Sequence, residues 1–177
     1  DAVWSAKRNP SGDTSLDLFD GFDTITDKEI TAGTLAASKN NYMKLTAKVT
    51  SANAVDAAKE ILFSLDPHLR AQECYLFCSQ EFADMYNEAY LMTHGGIPYN
   101  TQYDQVSVEG SGGRLKLVPL ANKTGSKFLH VCPKDNMLVG FDTMGDNTNV
   151  MVKEYKPFIL SYIATMFFGV QFESIDK

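Results

Sequence analysis

Apolar residues follow two rhythms along this chain, a helical one in the first half and an alternating one in the second. Val55, Ala58, Leu62 and Leu65 recur at three- and four-residue spacing, which lines one buried stripe of a helix. The pattern predicts a helix over 53–65. Asn53 stands where a side-chain oxygen can cap the first turn, with Asp56 three residues on in capping-box fashion. Asp66-Pro67 ends the helix, because proline disfavours helical geometry in the residue before it. The short apolar run 74–78 reads as a buried strand. Ser79 then caps a second helix reaching about Thr93, with Glu81 near its positive end. Phe82, Met85, Tyr86 and Ala89 mark its buried face, and Gly95-Gly96 stops it. Nearer the start, Leu18, Phe19, Phe22 and Ile25 fall at near-helical spacing, weakened by Asp20-Gly21.

The second half reads as strands. Val106 and Val108 lead into the turn Gly110-Ser111-Gly112-Gly113, and Leu115 and Leu117 come after it. Further strands are predicted over 128–132, 137–141 and 150–155. A last apolar segment covers 158–172; its stretch 158–170, interrupted by Ser161, Thr165 and Gly169, reads as a core strand or hairpin. Helices early and strands late favour an α+β fold with a largely antiparallel sheet. The first fifteen residues are polar, with a turn at Pro10-Ser11-Gly12-Asp13. Trp4 is the one large apolar anchor there, so this stretch reads as an arm whose position depends on neighbours.

Composition narrows the classes. The chain has 177 residues, 44% hydrophobic and 21% charged, which fits one domain, or one domain with an arm. A chain of this length buries roughly two-thirds of its unfolded surface and needs no disulfide or metal staple. Sixteen basic against 22 acidic side chains leave a net charge of −6, which argues against specific nucleic-acid binding and against an anionic membrane. No apolar run reaches the ~18 residues of a membrane span, and the front lacks a signal-peptide pattern. Cys74, Cys78 and Cys132 form an odd, sparse set that suits a reducing compartment. The chain begins at Asp1 and not at Met, and reads as a trimmed, processed or engineered piece.

Candidate chemistry is thin. His130 and Cys132 share one face of a strand and offer two metal ligands, or four if Cys74 and Cys78 join them; zinc wants three or four. Core cysteines are the plainer reading, and neither Cys78 nor Cys132 sits in a nucleophile motif. His68 and His94 lie beside helix-ending signals, where exposed polar residues are expected. Asp142, Asp146, Asn147 and Asn149 crowd one loop, but their spacing misses the calcium-loop pattern. Gly110 to Gly113 and Gly125-Ser126-Lys127 lack the helix that a phosphate loop requires; the first is expected to be a hairpin turn. Asn122-Lys123-Thr124 matches a glycosylation acceptor, which has meaning only on a secreted eukaryotic chain. Tyr90, Tyr99 and Tyr103 are amphipathic aromatics of the kind favoured at protein interfaces; ordinary packing accounts for them equally well. No catalytic set assembles, so the expectation is a structural or interaction protein and not an enzyme.

The stretch 128–142, FLHVCPKDNMLVGFD, resembles a segment of tailed-bacteriophage major capsid proteins of the Hong Kong 97 type. In that family a strand ends in a Pro-Lys-Glu/Asp-Asn turn, succeeded by a short strand and a Gly-x-Asp exit. Those positions are Pro133, Lys134, Asp135, Asn136, Gly140 and Asp142 here. The predicted helix at 53–65, taken with 74–90, resembles the family's spine helix and the opening of its axial domain. The segment 150–172, with Gly169-Val170-Gln171-Phe172 near its end, resembles the closing strands of its peripheral domain. The similarity covers roughly 53–177, and more loosely the region around Leu18-Phe19-Asp20-Gly21-Phe22. The chain is shorter than a whole capsid subunit of that family.

The resemblance implies an α+β capsid fold, with a spine helix packed on a long antiparallel sheet and a compact axial lobe. It implies an arm and partial extended region over 1–50, a peripheral-like domain over 51–66 with 147–177, and an axial-like domain over 67–146. It further implies a virion shell assembled in the host cytoplasm from copies of the chain, with other virion proteins as further partners and no cofactor. Interface residues expected on this basis are Trp4, Tyr99, Tyr103, Pro133, Lys134, Asp135 and Asn136. The alternative is a small α+β ligand-binding or enzymatic domain with a site at His130 and Cys132.

Overall fold

A computed structural model of the chain describes residues 2–95, 107–141, 150–164 and 167–175. Its helices are α1 (Ala2–Ser5), α2 (Phe22–Ala32), α3 (Ala54–Ser64), α4 (Pro67–Ala71) and α5 (Gln80–His94). Its strands are β1 (Cys74–Ser79), β2 (Leu115–Leu120), β3 (His130–Cys132), β4 (Met137–Phe141), β5 (Val150–Lys156), β6 (Ile159–Ala164) and β7 (Phe168–Phe172). The α+β class holds.

Among the described residues, three small sheets replace the one long sheet expected: β2-β1-β3, β4-β7 and β5-β6. Three of their four strand pairings are antiparallel, but β1 and β2 run parallel, Cys74 beside Leu115 and Leu76 beside Leu117. The cause is the connection. α5 succeeds β1 without a break, and a helical crossover returns the chain to the start of the sheet, which is the usual route to a parallel pair. The glycine-rich turn before β2 does bring the chain back on itself: Ser107 bridges Lys116 in antiparallel sense, and the Val108 N–H donates to the Leu115 carbonyl at 2.9 Å.

β1 is the centre of the molecule. Cys74, Leu76 and Cys78 point to one face and are buried there with Leu115 and Leu117 of β2, Val55, Ala58 and Leu62 of α3, and Phe82, Tyr86 and Ala89 of α5. Both helical stripes legible in the sequence are therefore core. α3 packs on α5 and the β1–β2 face, not across a long hairpin sheet. On the other face Phe77 packs into a second core built on Trp4, Phe22 and Val170, with Phe19, Phe168 and Phe172 around it.

Local chemistry explains the element ends. The Ser79 hydroxyl accepts from the Phe82 N–H at 3.3 Å, and Gly95, in the left-handed region, closes α5. Asp66 caps α4 by accepting from the His68 N–H, so Asp66-Pro67 both stops one helix and starts the next. Asn53 departs from expectation. It occupies the cap position of α3 but makes no cap bond; its side chain faces backward, accepting from the Thr50 N–H at 2.7 Å and donating to the Lys48 carbonyl. It fastens the approach to the helix instead.

The amino-terminal arm also departs from expectation, because its anchor lies inside the same chain. Trp4 is 5% exposed and stacks obliquely on Phe22 at 5.3 Å. The Gly21 N–H donates to the Ala6 carbonyl at 2.8 Å, the Lys7 N–H to Leu16, and the Thr24 hydroxyl to Ala6. Gly21, read from sequence as a weak point inside a helix, is the residue before α2, and a Cβ there would collide with the Trp4 backbone. That close approach is why glycine stands at this position.

Candidate functional site

Two features stand out once the fold is built: a closed polar cluster beneath Trp4, and sheet surface left uncovered.

The polar cluster centres on Lys123. A single 3-10 turn, Ala121–Lys123, comes after β2 and turns this lysine inward, where its side chain is 0% exposed. Its ammonium donates to Asp23 Oδ1 at 2.8 Å and to Ser126 Oγ at 2.8 Å, and lies 4.3 Å from the centre of the Trp4 ring. Carboxylate, hydroxyl and aromatic face together replace the lost water, as a buried cation requires. Burial pulls the Lys123 pKa down, and the bond to Asp23 opposes that.

His130 completes the cluster. The Thr26 hydroxyl donates to the Phe22 carbonyl at 2.8 Å, so its oxygen accepts from His130 Nε2 at 2.9 Å. This assigns the ring proton to Nε2 and leaves Nδ1 as a buried acceptor without a hydrogen-bond partner. Nδ1 lies 3.9 Å from Asp23 Oδ1, an approach that by itself would favour a charged ring. Burial wins, reinforced by the Lys123 charge, and pushes the His130 pKa down to about 3. Asp23 is already engaged by Lys123, which is why its nearness does not rescue the imidazolium. Rings of Trp4, Phe128 and Phe172 surround His130.

This cluster is enclosed. The lysine amine faces three intramolecular partners and the imidazole is wedged among aromatics. Its chemistry is that of a clamp, tying α2, the turn after β2, and β3 together through one buried ion pair.

Cys132 lies two residues from His130 and opposite Tyr75. Burial pushes its thiol up to about 12 against a hydrogen bond with Asn136, and Cys78 likewise rises to about 12. Cys74 is raised by burial too. All three cysteines are free and buried, in the inert condition expected of structural thiols. Among the described residues no three His, Cys, Asp or Glu side chains gather as metal ligands. His68 and His94 are both exposed, as expected; His94 also stacks on Tyr90 at 4.3 Å and lies 3.4 Å from Glu109.

Of the residues expected at interfaces, Trp4 is internal. Tyr99 and Tyr103 fall outside the described residues, as do Asp142, Asp146, Asn147 and Asn149. Pro133 precedes a 3-10 turn, Lys134–Asn136, between β3 and β4. Lys134 and Asp135 are exposed there. Asn136 works within the chain: its carbonyl accepts from the Glu173 N–H at 2.9 Å and its Oδ1 from the Ser174 N–H at 2.8 Å. That turn thus holds the strand after it against β7.

Sequence reading missed Lys123, which it met only inside a glycosylation pattern, and Asp23. A lysine in a polar turn carries no local sign of burial; its partner lies 100 residues away.

The uncovered surface is the opposite case. The β4-β7 sheet leaves Leu138, Val139 and Phe141 about half exposed, and Leu138, Phe141, Phe167, Phe168 and Val170 line an open trough of about 550 Å³. Every described side chain of β5 is exposed. The pairing of Val152 with Tyr162 and of Glu154 with Leu160 puts Val150, Val152, Leu160 and Tyr162 on one face of the β5-β6 hairpin, all more than half exposed. The segment read as a core strand or hairpin is a hairpin, and not core, in its first part. In its second part, β7, Val170 enters the second core.

Among the described residues no helix is long and apolar enough to cross a membrane. Comparisons with protein-family models, with curated proteins and with solved structures find no match to this chain.

Proposed function

We propose that this chain is a structural subunit of a tailed-phage capsid of the Hong Kong 97 type, associating with copies of itself and with other virion proteins in a shell. The observation that carries this reading is the apolar sheet surface. An enzyme turns its chemistry into a cleft, whereas this chain encloses its ionisable cluster and turns Val152, Leu160, Tyr162 and Phe141 outward. Contiguous exposed apolar surface marks an interaction site, and head-to-tail contacts between identical subunits close into rings. The resemblance of 128–142 to the capsid segment supplies the family. In this reading α3 corresponds to the spine helix, 51–66 with 147–177 to the peripheral domain, 67–146 to the axial domain, and Lys134 and Asp135 face a neighbour.

Electron microscopy of the full-length gene product tests it. Shells, tubes or capsomer rings are expected. A dispersed single-chain species across the salt and concentration range that favours assembly rules the reading out.

A further inference from the structure

The β5-β6 hairpin is a two-stranded sheet with no third strand among the described residues, and a lone hairpin is marginal in water. Its tip is stranger still. Strand β5 ends at Lys156 and β6 begins at Ile159, so Pro157 and Phe158 form the loop. Phe158 has φ 67, at the turn position where glycine or asparagine is ordinarily required, and a bulky side chain pays for that backbone in strain. The same residue is 103% exposed. Neither the backbone nor packing against the described residues accounts for an aromatic residue there.

We propose that Phe158 is a docking knob, and that the hairpin of one copy seats in the β4-β7 trough of a second copy of this chain. The identity of the occupant rests on the self-assembly reading above, and three observations favour it. First, the chain carries both halves of the contact, a projecting apolar hairpin and an open apolar trough of about 550 Å³, large enough for more than one side chain. Second, the sizes agree. At 150–250 Å² for a whole aromatic side chain, Phe158, Tyr162 and the aliphatics beside Tyr162 present roughly 600 Å² of apolar surface, most of the ~800 Å² per partner of a standard interface. Third, charge does not oppose the contact: the strand leading to the tip carries Lys153 and Lys156 against Glu154, and the residues lining the trough are uncharged. The contact is heterologous, hairpin to trough, so each copy keeps one free half and the array can grow or close.

The test uses the 177-residue chain with one cysteine added to each preparation, Phe158→Cys in one and Phe141→Cys in the other, both at exposed positions. The native thiols are buried and do not compete. Mixed and mildly oxidised, the two variants are expected to give a disulfide-linked dimer whose joining peptide, by mass spectrometry, contains positions 158 and 141. Leu138→Cys is the second trough variant should position 141 tolerate cysteine poorly. A mixture that stays monomeric with both trough variants, or links only 158 to 158, overturns the proposal. Phe158→Asp should weaken self-association at least tenfold in sedimentation equilibrium; an unchanged association constant counts equally against it. Electron microscopy separates this result from the capsid reading. Shells without the 158–141 bond sink the contact and leave the capsid, while linked chains that never form rings or shells do the reverse.

Discussion

Leu76 and Val152 are both central residues of apolar strands, yet Leu76 is wholly enclosed and Val152 is 54% exposed. The difference lies in the segment that comes after each strand. β1 is succeeded at once by α5, whose apolar stripe folds back over it, and the arm around Trp4 covers its other side. β5 is succeeded by a two-residue loop and its own antiparallel partner, which supplies hydrogen bonds and no cover. Within one chain the same residue types build a closed core in one place and an exposed surface in the other. Hydrophobic strand sequence signals burial, but the covering partner need not belong to the same molecule.

The contrast can be broken most forcefully at the clamp beneath Trp4. Asp23→Ala leaves the Lys123 ammonium buried without its carboxylate, and should cost about 3–5 kcal/mol in chemical denaturation. Adding Lys123→Met should recover most of that loss, because the uncompensated charge is then gone. A mild effect of Asp23→Ala alone would mean that Lys123 escapes to solvent.

Leu76→Ala should cost about 2–5 kcal/mol, since its site cannot collapse, whereas Val152→Ala should stay within roughly 0.5 kcal/mol in the dissociated chain. Equal losses would erase the distinction between the two regions. Denaturant midpoints at low protein concentration provide the measurement.

Acid should act on the core and spare the hairpin. His130 is held at about 3 when folded, against an ordinary 6.5, so the unfolded chain binds a proton that the folded chain refuses. The stability that depends on this group is intact above about pH 6.5. It falls by about 1.4 kcal/mol per pH unit as the pH drops toward about 3. His130→Gln, which keeps a donor for Thr26, should flatten the slope in that window, read as the difference between variant and parent melting temperatures. A parallel pair of curves would show that another group carries the acid response.

At the hairpin tip the expected effect is small and opposite in sign to the core losses. Phe158→Gly relieves a left-handed backbone and should stabilise the dissociated chain by about 1 kcal/mol, while weakening self-association. Stability and association moving in opposite directions is the outcome that sets this residue apart from a core aromatic.

Much of the fold was legible in local pattern. The stripes of α3 and α5, the apolar run of β1, the cap at Ser79, the stop at Gly95 and the extent of β4 all arise from residues within a turn or two of one another. The site was less legible. Trp4 stands out in the sequence as an anchor, but its pocket does not, because an isolated aromatic in a polar arm looks the same whether that pocket lies in its own chain or in another. His130 and Cys132 were visible as a pair, yet the partners that decide the state of His130 are Thr26 and Lys123, neither of which its neighbours in sequence suggest.

Taken alone, the sequence determined the α+β class, the identity of the main helices and the apolar strands, and the net negative charge. Those are consequences of periodicity and composition, which act over short separations. Only the tertiary structure decided that β2 lies parallel to β1, that Lys123 and Asp23 meet across 100 residues, that Gly21 yields space to the Trp4 backbone, and that the hairpin stands uncovered. Each of these depends on which distant segment reaches a surface first and fits it, and a one-dimensional pattern does not encode that competition locally.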